Sequence, residues 1–193
     1  MNRKHHSAAL VALLRKQLGD NVTRGAEIGI NEGRTACVVL REFPSLYLFM
    51  VDPWRVWEPE TVYAQTCKFG KRNQEQWCNK EREAMDRVEP YKDRTIVIRM
   101  LSIDAAQFVL DGSLDYVFID AAHDYDAVKL DIATWTPKVR TGGVIAGHDY
   151  DAPKRERAMG QWGVKRAVDE WGDQFNYDIR ISDMDSCVWW AVA

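Results

Sequence analysis

The sequence predicts an α/β fold with a doubly wound, mostly parallel sheet and helices on both faces. Short apolar runs that fit strands alternate along the chain with segments of helical periodicity. The strand runs are almost continuously apolar, which is typical of parallel strands covered by helices on both faces. Several of these runs close on an acidic residue.

The individual elements follow from local patterns. Apolar residues recur at helical spacing over 7–18, so an amphipathic helix is predicted there. Strands are predicted at 25–30, 46–52, 95–100, 114–120 and 144–146. Helices are predicted between them, at 35–42, 74–88, 103–110 and 125–137.

The 193 residues fit one domain with a substantial core, because 46% of them are hydrophobic. We expect a single domain over 1–193, with an N-terminal helix within 1–24. The crossover 53–94 is long for two adjacent strands and is expected to be a helical insert. The polar segment 151–163, which follows directly on Asp149, is a candidate lid.

Charge and composition argue against some classes of partner. The 26 Lys and Arg and 29 Asp and Glu residues give a net charge of −3 with mixed signs, which does not favour binding to nucleic acid or an anionic membrane. No apolar stretch reaches the ~18 residues that span a bilayer. The scattered cysteines are expected to be free thiols of a cytoplasmic protein: Cys37, Cys67, Cys78 and Cys187.

Acidic residues lie in or just after the predicted strands at four positions: Glu27, Asp52, Asp120 and Asp149. In an open α/β sheet, the carboxyl ends of the strands line the ligand crevice, so these acids should meet at one edge. Gathering like charges at one edge is costly unless they hold a ligand. The sequence therefore predicts a binding site at this edge of the sheet.

The loop after the first strand indicates the kind of ligand. Gly29 and Gly33 allow a sharp turn and a close approach of a ligand to the backbone. The G-x-G-x-x-G pattern of dinucleotide-binding loops is missing, and Glu27 and Glu32 are poor neighbours for a pyrophosphate. A cationic ligand suits these acids better, and Asp52 can accept both hydroxyls of a ribose. Adenosine with a cationic sulfur fits both observations, while an ordinary strand-to-helix turn is the simpler alternative for the glycines alone.

Three motifs follow one another along the chain: E-I-G-x-x-x-G-x-T from Glu27, FID ending at Asp120, and G-G-V-I-A-G-H-D-Y from Gly142. With the acid that closes the second strand, they resemble the class I S-adenosylmethionine-dependent methyltransferases, in a branch similar to the catechol and sugar O-methyltransferases. The resemblance runs from about Glu27 to the C-terminus. It implies a Rossmann-like sheet that ends with a helix over 163–171 and an antiparallel strand pair at 179–181 and 186–192.

The resemblance also implies roles in binding S-adenosylmethionine. Gly29 and Gly33 would shape the loop under the methionine part of the cofactor, and Glu27 would hold that loop. Asp52 would bind the ribose.

After the third strand, Ser102 and Ile103 fall where the family contacts the adenine, and Asp104 is a further candidate. The surrounding sequence is a weak match to the family at this point. Asp120 is also placed among the cofactor-binding residues, because it closes the fourth strand.

A divalent metal is a further implication of the resemblance. In the catechol-type branch, the ion is held by the acid closing the fourth strand and by an Asp-Asn pair closing the fifth. Asp120 matches the first position, but His148 and Asp149 replace the pair. Such a mixed nitrogen and oxygen set suits manganese, iron or zinc better than magnesium. Hydrogen bonds alone are the alternative explanation for these acids.

Methyl transfer to a hydroxyl requires a group that removes the proton of the acceptor. His123 is the first candidate base, because a histidine pKa of about 6.5 suits proton transfer near neutral pH, and Asp120 or Asp124 could orient the ring. His148 is the second candidate. The alternative for His123 is a structural role, as a cap of the next helix or a partner of a carbonyl group.

The insert is rich in aromatic and basic side chains, including Trp54, Trp57, Tyr63 and Trp77. These side chains could stack on a sugar or aromatic acceptor, bury a dimer surface, or form a satellite core under a long loop. Near the C-terminus, the alternation along a strand predicts that one of two adjacent tryptophans packs inward and the other is exposed or at an interface.

The leading hypothesis is an S-adenosylmethionine-dependent methyltransferase that acts on a hydroxyl of a small-molecule acceptor, with optional help from a divalent metal. Its catalytic candidates are His123, His148 and Asp120. The main alternative is a non-catalytic domain that keeps the nucleoside pocket and binds a partner through the insert. A nicotinamide-dependent oxidoreductase fits less well because the glycine pattern is missing. Homo-oligomerisation stays open.

Overall fold

In the computed structural model, the residues described are 6–67, 69–151, 162–185 and 187–193. They include the strands β1 (Arg24–Ile28), β2 (Tyr47–Val51), β3 (Thr95–Ile98), β4 (Leu114–Ile119), β5 (Val139–Gly147), β6 (Arg180–Ile181) and β7 (Trp189–Val192). These strands form one sheet in the order β3-β2-β1-β4-β5-β7-β6. The first five are parallel, and β7 is antiparallel to both β5 and β6. The predicted fold class is confirmed, including the antiparallel strands near the C-terminus.

The described helices are α1 (His6–Leu18), α2 (Arg34–Glu42), α3 (Val62–Thr66), α4 (Gln74–Val88), α5 (Ser102–Ala105), α6 (Tyr125–Trp135) and α7 (Val164–Phe175). Two N-termini are fixed by side chains. Asn73 and Gln76 form a capping box at α4, and the Asp124 carboxylate accepts the backbone N–H of Ala127 at the start of α6. The sequence did not predict α3, and α5 is shorter than predicted and continues as a 3₁₀ turn at Ala106–Phe108.

The sheet separates two apolar cores. One core lies against α1, α2 and α4, and the other lies against α5, α6 and α7. The prediction of one exposed tryptophan in β7 is wrong: Trp190 is buried in the first core and Trp189 in the second. Both are covered because β7 lies inside the sheet, between β5 and β6, with helices on each face.

Three further observations bear on the predictions for partners, cysteines and the candidate lid. Among the described residues, no helix has the length and apolar character needed to cross a membrane. The four cysteines all lie in described ranges and form no disulfide with one another. Most of the candidate lid, residues 152–161, lies outside the described residues.

Candidate functional site

A cavity of about 920 Å³ lies over the carboxyl ends of the central strands. Many of the residues predicted for the site line this cavity: Glu27, Gly29, Asp52, Ser102, Ile103, Asp120, His123, His148 and Asp149. They come from the ends of four parallel strands and from the start of α5, as the topology of an open α/β sheet requires. The predicted convergence of the four acids at one edge is therefore present in the structure.

Gly29 allows the ends of neighbouring strands to approach closely. Its φ is 93°, and a Cβ atom at this position would lie 2.3 Å from the backbone oxygen of Asp120. Its N–H donates to the carbonyl of Val51 at 2.9 Å, while the N–H of Asp120 donates to the carbonyl of Ile28 at 2.8 Å. A side chain at Gly29 would push the loop away from Asp120 and into the cavity.

Gly33 has a different role, because it lies behind the cavity lining and packs on α4. Its φ is 72°, and a Cβ atom there would lie 2.9 Å from the Cα of Ala84. Next to it, Glu32 forms a salt bridge with Lys80 at 2.8 Å and another with Arg34. Glu32 is therefore neutralised by its own neighbours, and the insert fixes the glycine loop from below.

Asp52 is the residue that holds the glycine loop. Its Oδ2 accepts the backbone N–H of Asn31 at 2.8 Å, and its Oδ1 accepts the backbone N–H of Trp54 at 2.8 Å. The indole Nε1 of Trp54 in turn donates to the carbonyl of Asn31 at 2.8 Å. Burial raises the pKa of Asp52, and these hydrogen bonds oppose that rise. The side-chain hydrogen bonds to the loop come from Asp52, while the role of Glu27 in holding the loop stays a prediction.

Glu27 is instead a buried acid without a hydrogen-bond partner at one oxygen. No described residue donates a hydrogen bond to its Oε2. Burial raises its pKa well above the usual range, and the charges of Asp120 and Asp52 raise it further. A cationic group in the cavity would relieve this repulsion. Of the two acids predicted to favour a cationic ligand, Glu27 is the one that faces the cavity without a cation beside it.

On the other side of the cavity, Ser102 and Ile103 lie at the start of α5 and line the wall. Asp104 is exposed and lies outside the lining, so the structure does not support it as a cofactor contact. The hydroxyl of Ser102 accepts a hydrogen bond from Nε1 of Trp135 at 2.8 Å. Beside it lies Asp131, a buried acid in the lining that the sequence analysis did not select.

His123 lies between two of the strand-end acids. Its Nε2 is 3.1 Å from Oδ2 of Asp149 and 3.5 Å from Oδ1 of Asp120. Despite these distances, neither ring nitrogen makes a hydrogen bond of good geometry with a described residue. The ring stacks on Trp162, with centroids 4.2 Å apart. Within the described residues, neither ring nitrogen of His123 therefore caps the next helix or bonds to a carbonyl group, which was the structural alternative.

His148 faces the same acids from β5. Its Nδ1 is 3.4 Å from Asp149 and 4.0 Å from Asp120. Burial opposes the charged form of His148, but a hydrogen bond to Asp149 and the charge of Asp120 outweigh this effect and raise its pKa. Asp120, His148 and Asp149 therefore lie near one another, and their role as metal ligands stays a prediction.

His6 is a site residue that the sequence analysis missed. It begins α1, and its Nε2 lies 2.8 Å from the hydroxyl of Thr35 and 3.6 Å from Oδ2 of Asp120. Its ring is 4.4 Å from the ring of His148, measured between centroids. No local pattern marks His6, because its place depends on how α1 packs across the sheet.

The donor set of this cluster fits a transition-metal ion. Among the described residues, three groups of three side chains have donor atoms within 4.8 Å of one another: His6, Asp120 and His148; Asp120, His123 and Asp149; and His148, Asp185 and Cys187. Imidazole nitrogens mixed with carboxylate oxygens suit zinc, manganese or iron. The same arrangement also fits a proton-transfer site in which carboxylates hold an imidazole.

The insert forms the apolar side of the cavity. Trp57, Tyr63, Phe69 and Trp77 all line it, and all four also contact the first core. The same aromatic side chains therefore form a wall of the cavity and extend the first core. The indole Nε1 of Trp77 is buried without a hydrogen-bond partner among the described residues.

Comparison with known proteins agrees with this geometry. Residues 26–150 match a family model described as a methyltransferase domain. An uncharacterised protein of Sinorhizobium fredii (strain NBRC 101917 / NGR234) is 32% identical over 66 residues, or 34% of this chain. The match covers only 7% of the length of that relative.

Solved structures share the fold at low sequence identity. A provisionally named caffeoyl-CoA O-methyltransferase from Staphylococcus aureus has a TM-score of 0.69 and 13% identity, covering 100% of this chain and 84% of its own. An O-methyltransferase from Bacillus cereus, solved in complex with S-adenosylhomocysteine, has a TM-score of 0.64 and 14% identity, covering 98% of this chain and 81% of its own. The chain thus belongs to the methyltransferase-domain family and has the fold of the class I S-adenosylmethionine-dependent methyltransferases.

Proposed function

We propose that the protein transfers a methyl group from S-adenosylmethionine to a hydroxyl oxygen of a small molecule, such as a sugar or an aromatic compound. The observation that carries this proposal is the position of His123. Its imidazole lines the same cavity as the glycine loop and lies 3.1 Å from the Asp149 carboxylate. His123, the proposed proton acceptor, therefore lies in the same cavity as the proposed cofactor-binding loop.

The strand-end acids support S-adenosylmethionine as the ligand. When bound, this cofactor supplies an electrophilic methyl group on a cationic sulfur. Glu27 and Asp120 lie in the cavity wall, where their carboxylates can attract the cationic part and the ammonium group. Asp52 already accepts one backbone N–H at each oxygen, so it can accept a ribose hydroxyl only with the remaining lone pairs. The S-adenosylhomocysteine bound to the Bacillus cereus neighbour, which is the cofactor without its methyl group, also supports this choice.

His123 is our first candidate for the base, with His148 as the second. A carboxylate beside an imidazole orients the ring and stabilises it once it has taken a proton. Asp149 lies within 3.4 Å of a ring nitrogen of each histidine, so it can serve either one. Trp162 stacks on His123 and limits the rotation of its ring.

A divalent metal is an optional part of the proposal. Asp120, His148 and Asp149 would hold the ion, with His6 as a further nitrogen donor beside Asp120. Such an ion would polarise the acceptor oxygen and ease the loss of its proton.

The apolar wall supports an acceptor with a ring. Trp57, Tyr63 and Phe69 line the cavity on the side of the insert, and aromatic faces bind sugar and aromatic rings by stacking. The aromatic side chains face the inside of the cavity, which favours a small acceptor over a protein partner at this position.

The proposal is tested by following labelled methyl transfer from S-adenosylmethionine to a panel of sugars and phenols. With an accepted substrate, we expect His123→Ala to lower kcat by roughly 10²- to 10⁴-fold, because general base catalysis contributes about that much. The affinity for S-adenosylhomocysteine should change little, because His123 does not hold the cofactor.

His148→Ala is the matched variant in this experiment, since it removes the other imidazole beside Asp149. A larger loss of kcat in His148→Ala than in His123→Ala would move the base to His148. Full turnover in both variants would rule out His123 and His148 as the base, and no transfer to any hydroxyl acceptor would contradict O-methylation.

A further inference from the structure

Asp131 is a buried carboxylate in the cavity wall that belongs neither to the strand ends nor to the histidine cluster. It lies on α6, is only 7% exposed, and lines the cavity. Among the described residues, no lysine, arginine or histidine forms a salt bridge with it. Burying an acid without a cation is costly, so its position in the wall calls for a hydrogen-bond donor.

Only part of the hydrogen-bonding capacity of Asp131 is used within the protein. The hydroxyl oxygen of Ser102 accepts Nε1–H of Trp135 at 2.8 Å, and the interaction of Ser102 with Asp131 lowers the pKa of that acid. A carboxylate offers about four lone-pair positions, so acceptor capacity remains on the cavity side. The hydrogen bond from Trp135 holds the hydroxyl of Ser102 beside Asp131.

The surroundings of Asp131 fit a flat, mostly apolar ring. Leu101, Ile103, Ala127 and Leu130 also line the cavity, and they lie on α6 with Asp131 or at the start of α5. Ile103 and Leu130 are large apolar side chains with 43% and 47% of their surfaces exposed. A ring placed between them would cover this surface and bring its edge to the carboxylate of Asp131.

We propose that Asp131 accepts a hydrogen bond from the exocyclic amine of the cofactor's adenine and so selects a 6-amino purine over a 6-oxo purine. The proposal rests on S-adenosylmethionine as the cofactor and adds the residue that recognises its base. Adenine presents an N–H₂ donor at this position, whereas hypoxanthine presents an oxygen. That oxygen would face the carboxylate as a second acceptor, with no proton between them.

The test is calorimetric titration of S-adenosylhomocysteine and of its deaminated analogue, S-inosylhomocysteine, at a pH of about 8 where the carboxylate is ionised. The wild-type protein should bind S-adenosylhomocysteine roughly 10- to 100-fold more tightly than the analogue, as expected for one hydrogen bond to a charged acceptor. In Asp131→Asn, the ratio should fall close to one, because the amide can donate to the 6-oxo group.

Asp126→Asn is the matched control, because Asp126 lies on the same helix but is exposed and outside the cavity lining. This variant should keep the wild-type ratio. The proposal is overturned if the wild-type protein binds both ligands equally, or if Asp131→Asn weakens both by the same factor. Tight binding of S-adenosylhomocysteine without discrimination would overturn this inference alone, whereas no binding would overturn the proposed cofactor as well.

Discussion

At the scale of single residues, the ionisation of Asp131 links the site to stability. Burial raises its pKa from 3.8 to about 6, with a hydrogen bond from Ser102 lowering it and the charge of Asp124 adding to the rise. The folded protein therefore holds this proton more tightly than the unfolded chain does. The free energy of unfolding that Asp131 contributes is greatest below the unfolded pKa, and it decreases as the pH rises from about 4 to about 6.

Asp131→Asn should remove this decrease of the free energy of unfolding with rising pH, because an amide does not ionise. A shift of about two pKa units corresponds to about 3 kcal/mol, so the stability of the variant relative to wild type should increase by roughly that amount between about pH 4 and about pH 7. Urea unfolding of both proteins at the two pH values measures the difference between their free energies of unfolding. The other ionisable groups are the same in both proteins, so their contributions cancel in this difference. A difference that does not change with pH would contradict the assignment.

The strand-end acids could be predicted because the carboxyl ends of parallel strands meet at one edge whatever the details of packing. His6 could not, because nothing in the sequence sets how α1 crosses the sheet. Asp131 left a signal that the sequence analysis did not use. It occupies the apolar stripe of α6 together with Val128, Ile132 and Trp135, where an acid is out of place.

At the scale of elements, the contact between the glycine loop and α4 determines the shape of the cavity floor. Gly33→Ala should lower the free energy of unfolding by two separate effects. A positive φ costs an L-residue about 1–2 kcal/mol, and the new Cβ would lie 2.9 Å from the Cα of Ala84. Because the clash is with backbone, the loop must move away from α4.

Gly19→Ala provides a control within the same chain. Gly19 has a φ of 75°, and a Cβ atom there would have no other atom within 4 Å. Chemical denaturation of both variants therefore separates the cost of the clash from the cost of the backbone conformation. Equal destabilisation would show that α4 does not support the loop through Gly33.

The insert illustrates how far the prediction of elements extends. The helix at 74–88 was predicted with the bounds that the structure has, because a polar helix with a capping residue is marked in the local sequence. The five residues of α3 were not predicted, since a single helical turn has almost no periodicity. The wall formed by Trp57 and Tyr63 was left as one of several alternatives, because it depends on contacts between distant parts of the chain.

At the scale of the whole molecule, the alternation of strands and helices was enough to predict the fold class, while the antiparallel strands near the C-terminus were predicted from the family resemblance. The covered face of β7 was not foreseen, because alternation within a strand does not tell whether one or both faces of a sheet are buried. The fold also does not determine which molecule accepts the methyl group. It is determined by the walls above the sheet, which vary independently of the strands below.

The central claim is that the cavity over the carboxyl ends of the strands binds S-adenosylmethionine. Calorimetric titration of S-adenosylhomocysteine and of NAD into the wild-type protein, each with and without Mn²⁺, tests it most directly. We expect saturable binding of one S-adenosylhomocysteine per chain and no binding of NAD, with Mn²⁺ changing the measured affinity if Asp120, His148 and Asp149 hold an ion. Binding of NAD alone, or of neither ligand, would contradict the claim.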